Sequence, residues 1–367
     1  MTEPAQIYSP LATLVASAHV QRLALIGLAK NVGKTTTTNH LLSVLVGEGF
    51  YQAGELGLTS LGLDGEAVDA LTGLPKPRYM PGRGLLVATT LNFLHHAESN
   101  GARFEYLRQL PGRTALGPVS LARVLEPGQL IIAGPTLLRE LRQTLKLLGD
   151  YGAKLGIIDG AINRLGAAAP DVTDACILCT GCSLAANPTI VARRSVDVLA
   201  RLSVRQTTWG DAYRKHKQHG RLVLFLPERQ EGILAHFPGI PHPSEEAKWI
   251  VNHIQPGAVF FLHGALTEEL ARELLSLLSR QSCEATELVI EDATKIFCHS
   301  ATIQRFANCG LHLRIVAPIR VVALTINPYT PEYTCTSQQL LEALLKELPS
   351  GHPPVIDVIS GNSSQKM

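Results

Sequence analysis

Residues 22–26 form an apolar run that enters a glycine-bounded loop ending at Gly33, and residues 34–46 follow with Leu41, Leu42 and Leu45 on one helical face. A buried strand feeding directly into a helix constrains this chain most, because the helix must cross the sheet and return beside the strand. Apolar runs and helix-period segments then alternate. Strands are expected at 53–58, 85–89, 130–133 and 155–158. Between the last two, Leu137, Leu138, Leu141, Leu145 and Leu148 have helical spacing and predict a strand-helix-strand unit. The expected fold class is α/β, with a doubly wound, largely parallel sheet.

The second half continues the pattern, with strands expected at 222–226, 259–262, 288–290 and 321–326 and helices at 267–278 and 337–345. A polar, basic stretch, 201–220, interrupts the apolar runs and predicts domains at 1–214 and 215–367. The second is either a separate α/β domain or an extension of the same sheet.

With 46% hydrophobic and 17% charged residues in 367, a sizeable core is available and disorder is excluded as the main state. A net charge of +2 gives no field that would favour nucleic acid or an anionic membrane. The apolar stretches fall short of the roughly 20 residues a membrane span needs. No secretory pattern opens the chain, and seven cysteines fit a reducing compartment, so a cytoplasmic protein is expected.

The segment Gly27-Leu28-Ala29-Lys30-Asn31-Val32-Gly33-Lys34-Thr35-Thr36 sits where a Walker A loop belongs, after a strand and opening a helix. Such a turn aims backbone N–H groups and the positive helix end at one point, where a polyphosphate can bind. Lys34 would neutralise β- and γ-phosphate charge, the Thr35 hydroxyl would complete a Mg²⁺ shell, and the amides of Asn31, Val32, Gly33, Lys34, Thr35 and Thr36 would cradle the phosphates. The first glycine, Gly27, stands one place earlier than the usual pattern has it. Lys30, four residues before Lys34, resembles the signature lysine of the SIMIBI class of P-loop NTPases, many of which act as nucleotide-bridged dimers. A homodimer is one arrangement this allows, and a solvated loop lysine is the other reading.

Phosphoryl transfer also needs groups that hold Mg²⁺ and the attacking water. The apolar run ending in Asp159-Gly160 has the form of a Walker B strand, although Asp-Gly also makes turns. Asp64, within Gly57-Leu58-Thr59-Ser60-Leu61-Gly62-Leu63-Asp64-Gly65-Glu66, is the candidate for water orientation, and Thr59 and Ser60 could bond phosphate oxygens. Ala133-Gly134-Pro135, Thr173-Asp174 and Thr180-Gly181 are candidate pocket-lining loops. Asn327, followed by Pro328 and Tyr329, could read an adenine edge, and the chain lacks the Asn-Lys-x-Asp guanine motif, which favours ATP over GTP. Cys176, Cys179 and Cys182 have iron–sulfur spacing but lie in an apolar run that suits buried thiols, and His95-His96 lacks a third ligand.

Taken together, the segments 27–36, 57–60, 64–66, 72–76, 133–135, 159–161, 172–175, 180–181 and 327–329 resemble the P-loop component of the reactivating system of adenosylcobalamin-dependent lysine 5,6-aminomutase. The likeness spans about 22–359, with 201–255 adding little, and the three cysteines and the basic run near 215 depart from it. The resemblance implies an ATPase that works with a MutS-like ATPase partner to eject damaged cobalamin from an aminomutase client. Two other readings stay open. One is an ATP-dependent ligase or kinase resembling dethiobiotin synthetase, and the other is a nucleotide-sensing module that does not hydrolyse.

Overall fold

The computed structural model describes residues 9–64, 78–160, 165–278, 283, 286–330, 335–361 and 363–364. The chain divides into two compact units, one formed by Met1–Ser195 with Arg320–Met367 and the other by Val196–Ile319. The break therefore falls elsewhere than at 214/215, and residues 320–367 return to the first unit.

Along the first unit lie α1 (Pro10–Ser17), β1 (Arg22–Gly27), α2 (Lys34–Gly47), β2 (Leu56–Leu61), β3 (Leu63–Asp64), β4 (Leu86–Thr90) and α3 (Leu91–Glu98). They are followed by β5 (Arg103–Thr114), β6 (Gly117–Glu126), β7 (Ile132–Ala133), α4 (Leu138–Asp150), β8 (Leu155–Gly160), β9 (Ala175–Gly181) and α5 (Pro188–Leu202), within which the unit boundary falls. In the second unit are α6 (Gly210–His216), β10 (Leu222–Leu226), β11 (Glu231–Leu234), α7 (Pro243–Asn252), β12 (Val259–Leu262), α8 (Glu268–Leu278), β13 (Thr286–Asp292), α9 (Ser300–Asn308) and β14 (Leu311–Ala317). The first unit resumes with β15 (Val321–Asn327), α10 (Ser337–Glu347) and β16 (Val355–Ile356).

The first unit's main sheet runs β16-β15-β9-β1-β8-β2-β4-β6-β5, parallel from β16 to β4 and antiparallel through the β5–β6 hairpin. It is a large mixed, mostly parallel α/β sheet. Both faces of its centre are covered, so β2 and β9 are buried at every residue. Leu41, Leu42 and Leu45 of α2 pack in the same core as Leu23 and Leu25 of β1. Successive β8 and β9 take opposite sides of β1, which opens a crevice beyond the carboxyl end of β1.

One expectation needs correction. Of 130–133, only Ile132–Ala133 is strand, and it pairs antiparallel with β3 outside the main sheet, so the strand-helix-strand unit built on it does not form. A Cβ at Gly134 would lie 2.0 Å from the Ser60 carbonyl oxygen, so the chain there presses edge-on against the end of β2. The apolar run 175–179 forms β9 between β1 and β15, and Cys176 and Cys179 are wholly buried in it, in keeping with the expected thiol packing.

The second unit's sheet runs β11-β10-β12-β13-β14, with β12, β13 and β14 parallel and β10 antiparallel to both its neighbours. Its core contains Tyr213, Val223, Phe225, Val259, Phe261, Val289 and Val316. The basic stretch expected to be a boundary loop thus contains α6, whose Arg214 and Lys215 face outward while Tyr213 is buried. No described helix is long and apolar enough to cross a membrane.

Candidate functional site

Beyond β1, the chain reaches α2 through two left-handed residues, Asn31 at φ 58° and Gly33 at φ 84°. Gly33 is the N-cap of α2 and has no side chain to cap it, and the first turn carries no acidic residue. The N–H groups of the first turn lack intrahelical partners, and their dipole favours an anion from outside the helix. The early position of Gly27 has a steric reason. A Cβ there would come within 2.8 Å of Lys34 Cδ and Cε, so the lysine stem lies across the strand end where Gly27 leaves room.

Lys34 is only 8% exposed and its Nζ donates to Asp159 Oδ1 at 3.1 Å. Asp159 is wholly buried near the end of β8, in register with Leu25 of β1 and Ser60 of β2. Its Oδ2 accepts from the Tyr79 phenol at 2.5 Å and from Thr38 Oγ1 at 3.3 Å, so cation and hydroxyls compensate a charge removed from water. Behind this group, Thr37 Oγ1 and Thr325 Oγ1 are 3.1 Å apart, and Cys179 sits against both threonines.

Other residues of the expected site occupy distinct positions. Lys30 and the hydroxyls of Thr35 and Thr36 are partly exposed and make no hydrogen bond or ion pair with a described side chain. Val32 is buried in the core. Asn327 Nδ2 donates to the Asn31 carbonyl at 2.8 Å and its Oδ1 accepts from Tyr329 N–H, so this side chain braces the 27–36 loop from the end of β15. A Cβ on Gly33 would meet Asn327 Cβ at 3.1 Å, which explains the glycine there on packing as well as on conformation.

Asp64 pairs through its backbone with Ile132, and its side chain lies outside the described residues, as do 65–77 and 161–164. Thr59 donates to the Ala88 carbonyl and Ser60 to that of Gly62, so both buried hydroxyl protons serve the sheet rather than a ligand. Asp174 accepts from the Arg22 guanidinium and from the Gln21 and Arg22 amides, which places Thr173-Asp174 at the amino end of β1, away from Lys34. Thr180-Gly181, by contrast, ends β9 beside Asn327.

Burial raises the Cys176 thiol to about 12 and the Cys179 thiol to about 11. Strand period puts residues three apart on opposite faces, so these two cannot share a cluster. His95 and His96 are exposed in the last turn of α3, and no described group of three or more His, Cys, Asp or Glu is placed to hold a metal.

Thr38 was legible in principle as the residue one helical turn after Lys34. Tyr79 carried no sequence signal, because Arg78-Tyr79-Met80 has neither periodicity nor a motif. Comparison of the chain with known protein families, with curated proteins and with solved structures returned no match.

Proposed function

We propose that the first unit is of P-loop NTPase type and binds ATP with Mg²⁺ at the 27–36 loop, hydrolysing it to drive a change in a protein partner. The observation that carries this reading is the buried Lys34 ammonium, held by Asp159 at the mouth of an uncapped helix that opens on a strand. Its charge is partnered internally yet exchangeable, because a phosphate oxygen can take the place of Asp159 Oδ1 on the ammonium provided that Mg²⁺ takes the place of the ammonium on the carboxylate.

In this reading Lys34 moves to the phosphates while the first-turn amides of α2 cradle them. Thr35, whose hydroxyl is uncommitted among the described residues, and Asp159 would hold Mg²⁺, which neutralises charge on the β- and γ-oxygens when bound. Lys30 is placed in the loop to add a second cation, Asn327 keeps the loop in shape, and Asp64 remains the candidate for orienting water. The partner, a MutS-like ATPase, and the client, an adenosylcobalamin-dependent aminomutase, come from the resemblance alone.

Calorimetric titration of Mg-ATP into wild type and Lys34→Met tests the reading, with phosphate release measured in parallel. Binding by wild type and its loss in the variant are expected. Equal affinity for both proteins would refute it.

A further inference from the structure

We propose that Tyr79 is a positioning residue that anchors one oxygen of Asp159, leaving the other to exchange between Lys34 and the metal. The inference rests on the nucleotide reading above. Three observations carry it. Tyr79 is wholly buried with its hydroxyl 2.5 Å from Asp159 Oδ2, whereas Lys34 Nζ lies 3.1 Å from Oδ1. The Asn39 amide of α2 grips the backbone on both sides of it, Nδ2 donating to the Arg78 carbonyl at 2.8 Å and Oδ1 accepting from Met80 N–H at 3.2 Å. Tyr79 also pairs through its own backbone with Leu130, N–H to carbonyl in both directions at 3.2 and 3.0 Å.

The helix that carries Lys34 therefore also fixes the segment that delivers the phenol. Thr38, one turn after Lys34, shares its hydroxyl proton between the Lys34 carbonyl at 3.1 Å and the same Oδ2 at 3.3 Å, so the phenol is the principal tether. The two carboxylate oxygens thus have separate duties. Oδ2 accepts from neutral hydroxyls, whereas Oδ1 accepts from an ammonium, which an incoming phosphate attracts more strongly. When Lys34 transfers, Oδ1 gives up its cation while Oδ2 keeps the carboxylate plane fixed, so the group meets a metal already oriented. A carboxylate lacking that tether would be free to turn about its terminal torsion, which is broad.

The test is the ratio of nucleotide affinities measured with Mg²⁺ and with a chelator, using ATP as the probe, in wild type and Tyr79→Phe. Tyr79→Phe keeps the buried ring and removes the hydroxyl. Affinity in chelator, which reads Lys34 and the backbone amides, should stay within twofold, while the gain from Mg²⁺ should fall about tenfold. Asn39→Ala leaves the phenol intact but releases the segment that carries it, and should lower the Mg²⁺ gain by a smaller factor. A purely structural role would weaken both affinities together. An unchanged Mg²⁺ gain in folded Tyr79→Phe, or in folded Asn39→Ala should Tyr79→Phe fail to fold, overturns the positioning role while leaving nucleotide binding standing. If wild type binds no nucleotide in either buffer, the functional reading itself falls and the inference with it.

Discussion

At the carboxyl edge of the first unit's sheet, Lys34, Thr38 and Tyr79 converge on Asp159, and each charge or hydroxyl is matched. At the same edge of the second unit's sheet, His263 follows β12 with both ring nitrogens buried and without a hydrogen-bond partner. The Tyr213 ring lies 4.4 Å from the imidazole, and Lys217 pairs with Glu291 nearby at the end of β13. Burial first, then Lys217, pushes His263 down to about 4, so it stays neutral. Both edges bury ionisable groups where open α/β sheets take ligands. The first supports a full charge because its compensating donors come from α2 and from the segment around Tyr79, whereas the second avoids charge by holding a neutral ring among aromatics. A matched but exchangeable charge is what a site for a polyphosphate requires.

The difference can be probed by removing one member at a time. The largest effect is expected from Lys34→Met, which leaves Asp159 without its cation. Nucleotide binding should vanish and the first unit should lose about 3 kcal/mol, as breaking one side of a buried pair does. Adding Asp159→Asn should restore part of the stability but none of the binding, a pattern that denaturant titration and calorimetry resolve together. Next is Gly134→Ala, whose Cβ would collide with the Ser60 carbonyl and should cost about 2 kcal/mol. Gly27→Ala meets a flexible lysine stem instead, so its expected effect falls on nucleotide affinity more than on the unfolding midpoint.

A pH series addresses the second edge. The usual His value is 6.5 and the folded value about 4, so the unfolded chain binds more protons between those limits. The second unit should lose stability as the pH falls from 6.5 towards 4, and His263→Phe should flatten that dependence. Both tryptophans, Trp209 and Trp249, belong to this unit, so their fluorescence during unfolding reports on it selectively. The smallest change in stability is expected for Thr35→Ala, whose hydroxyl has no described partner. The unfolding midpoint should shift by less than about 0.5 kcal/mol equivalent, whereas the Mg²⁺ gain in nucleotide affinity should drop several-fold.

The strand, loop and helix from 22 to 47 were legible because apolar period, glycine and the Gly-Lys-Thr sequence agree over adjacent residues. Asp159 was legible because its apolar run ends where β8 does. The antiparallel hairpin Arg103–Glu126 was not, since its strands lie at a sheet edge with exposed charged residues and bend at register shifts. The division of the chain was misplaced for a related reason. The basic residues around 214 looked like a linker, yet they are the outward face of a short helix held by Tyr213, and the apolar run 321–326 carried no mark that its neighbour would be β9. Tyr79 illustrates the remaining gap, because its role depends on a meeting with Asp159 across 80 residues that no local pattern encodes.

The central claim is that Lys34 trades its carboxylate for a phosphate. A crystal structure with Mg²⁺ and a non-hydrolysable ATP analogue tests it most directly. The account predicts the triphosphate over the 31–36 amides, Lys34 Nζ on a phosphate oxygen, and Asp159 still hydrogen-bonded to Tyr79. A nucleotide bound elsewhere, with the Lys34–Asp159 pair intact, would contradict it.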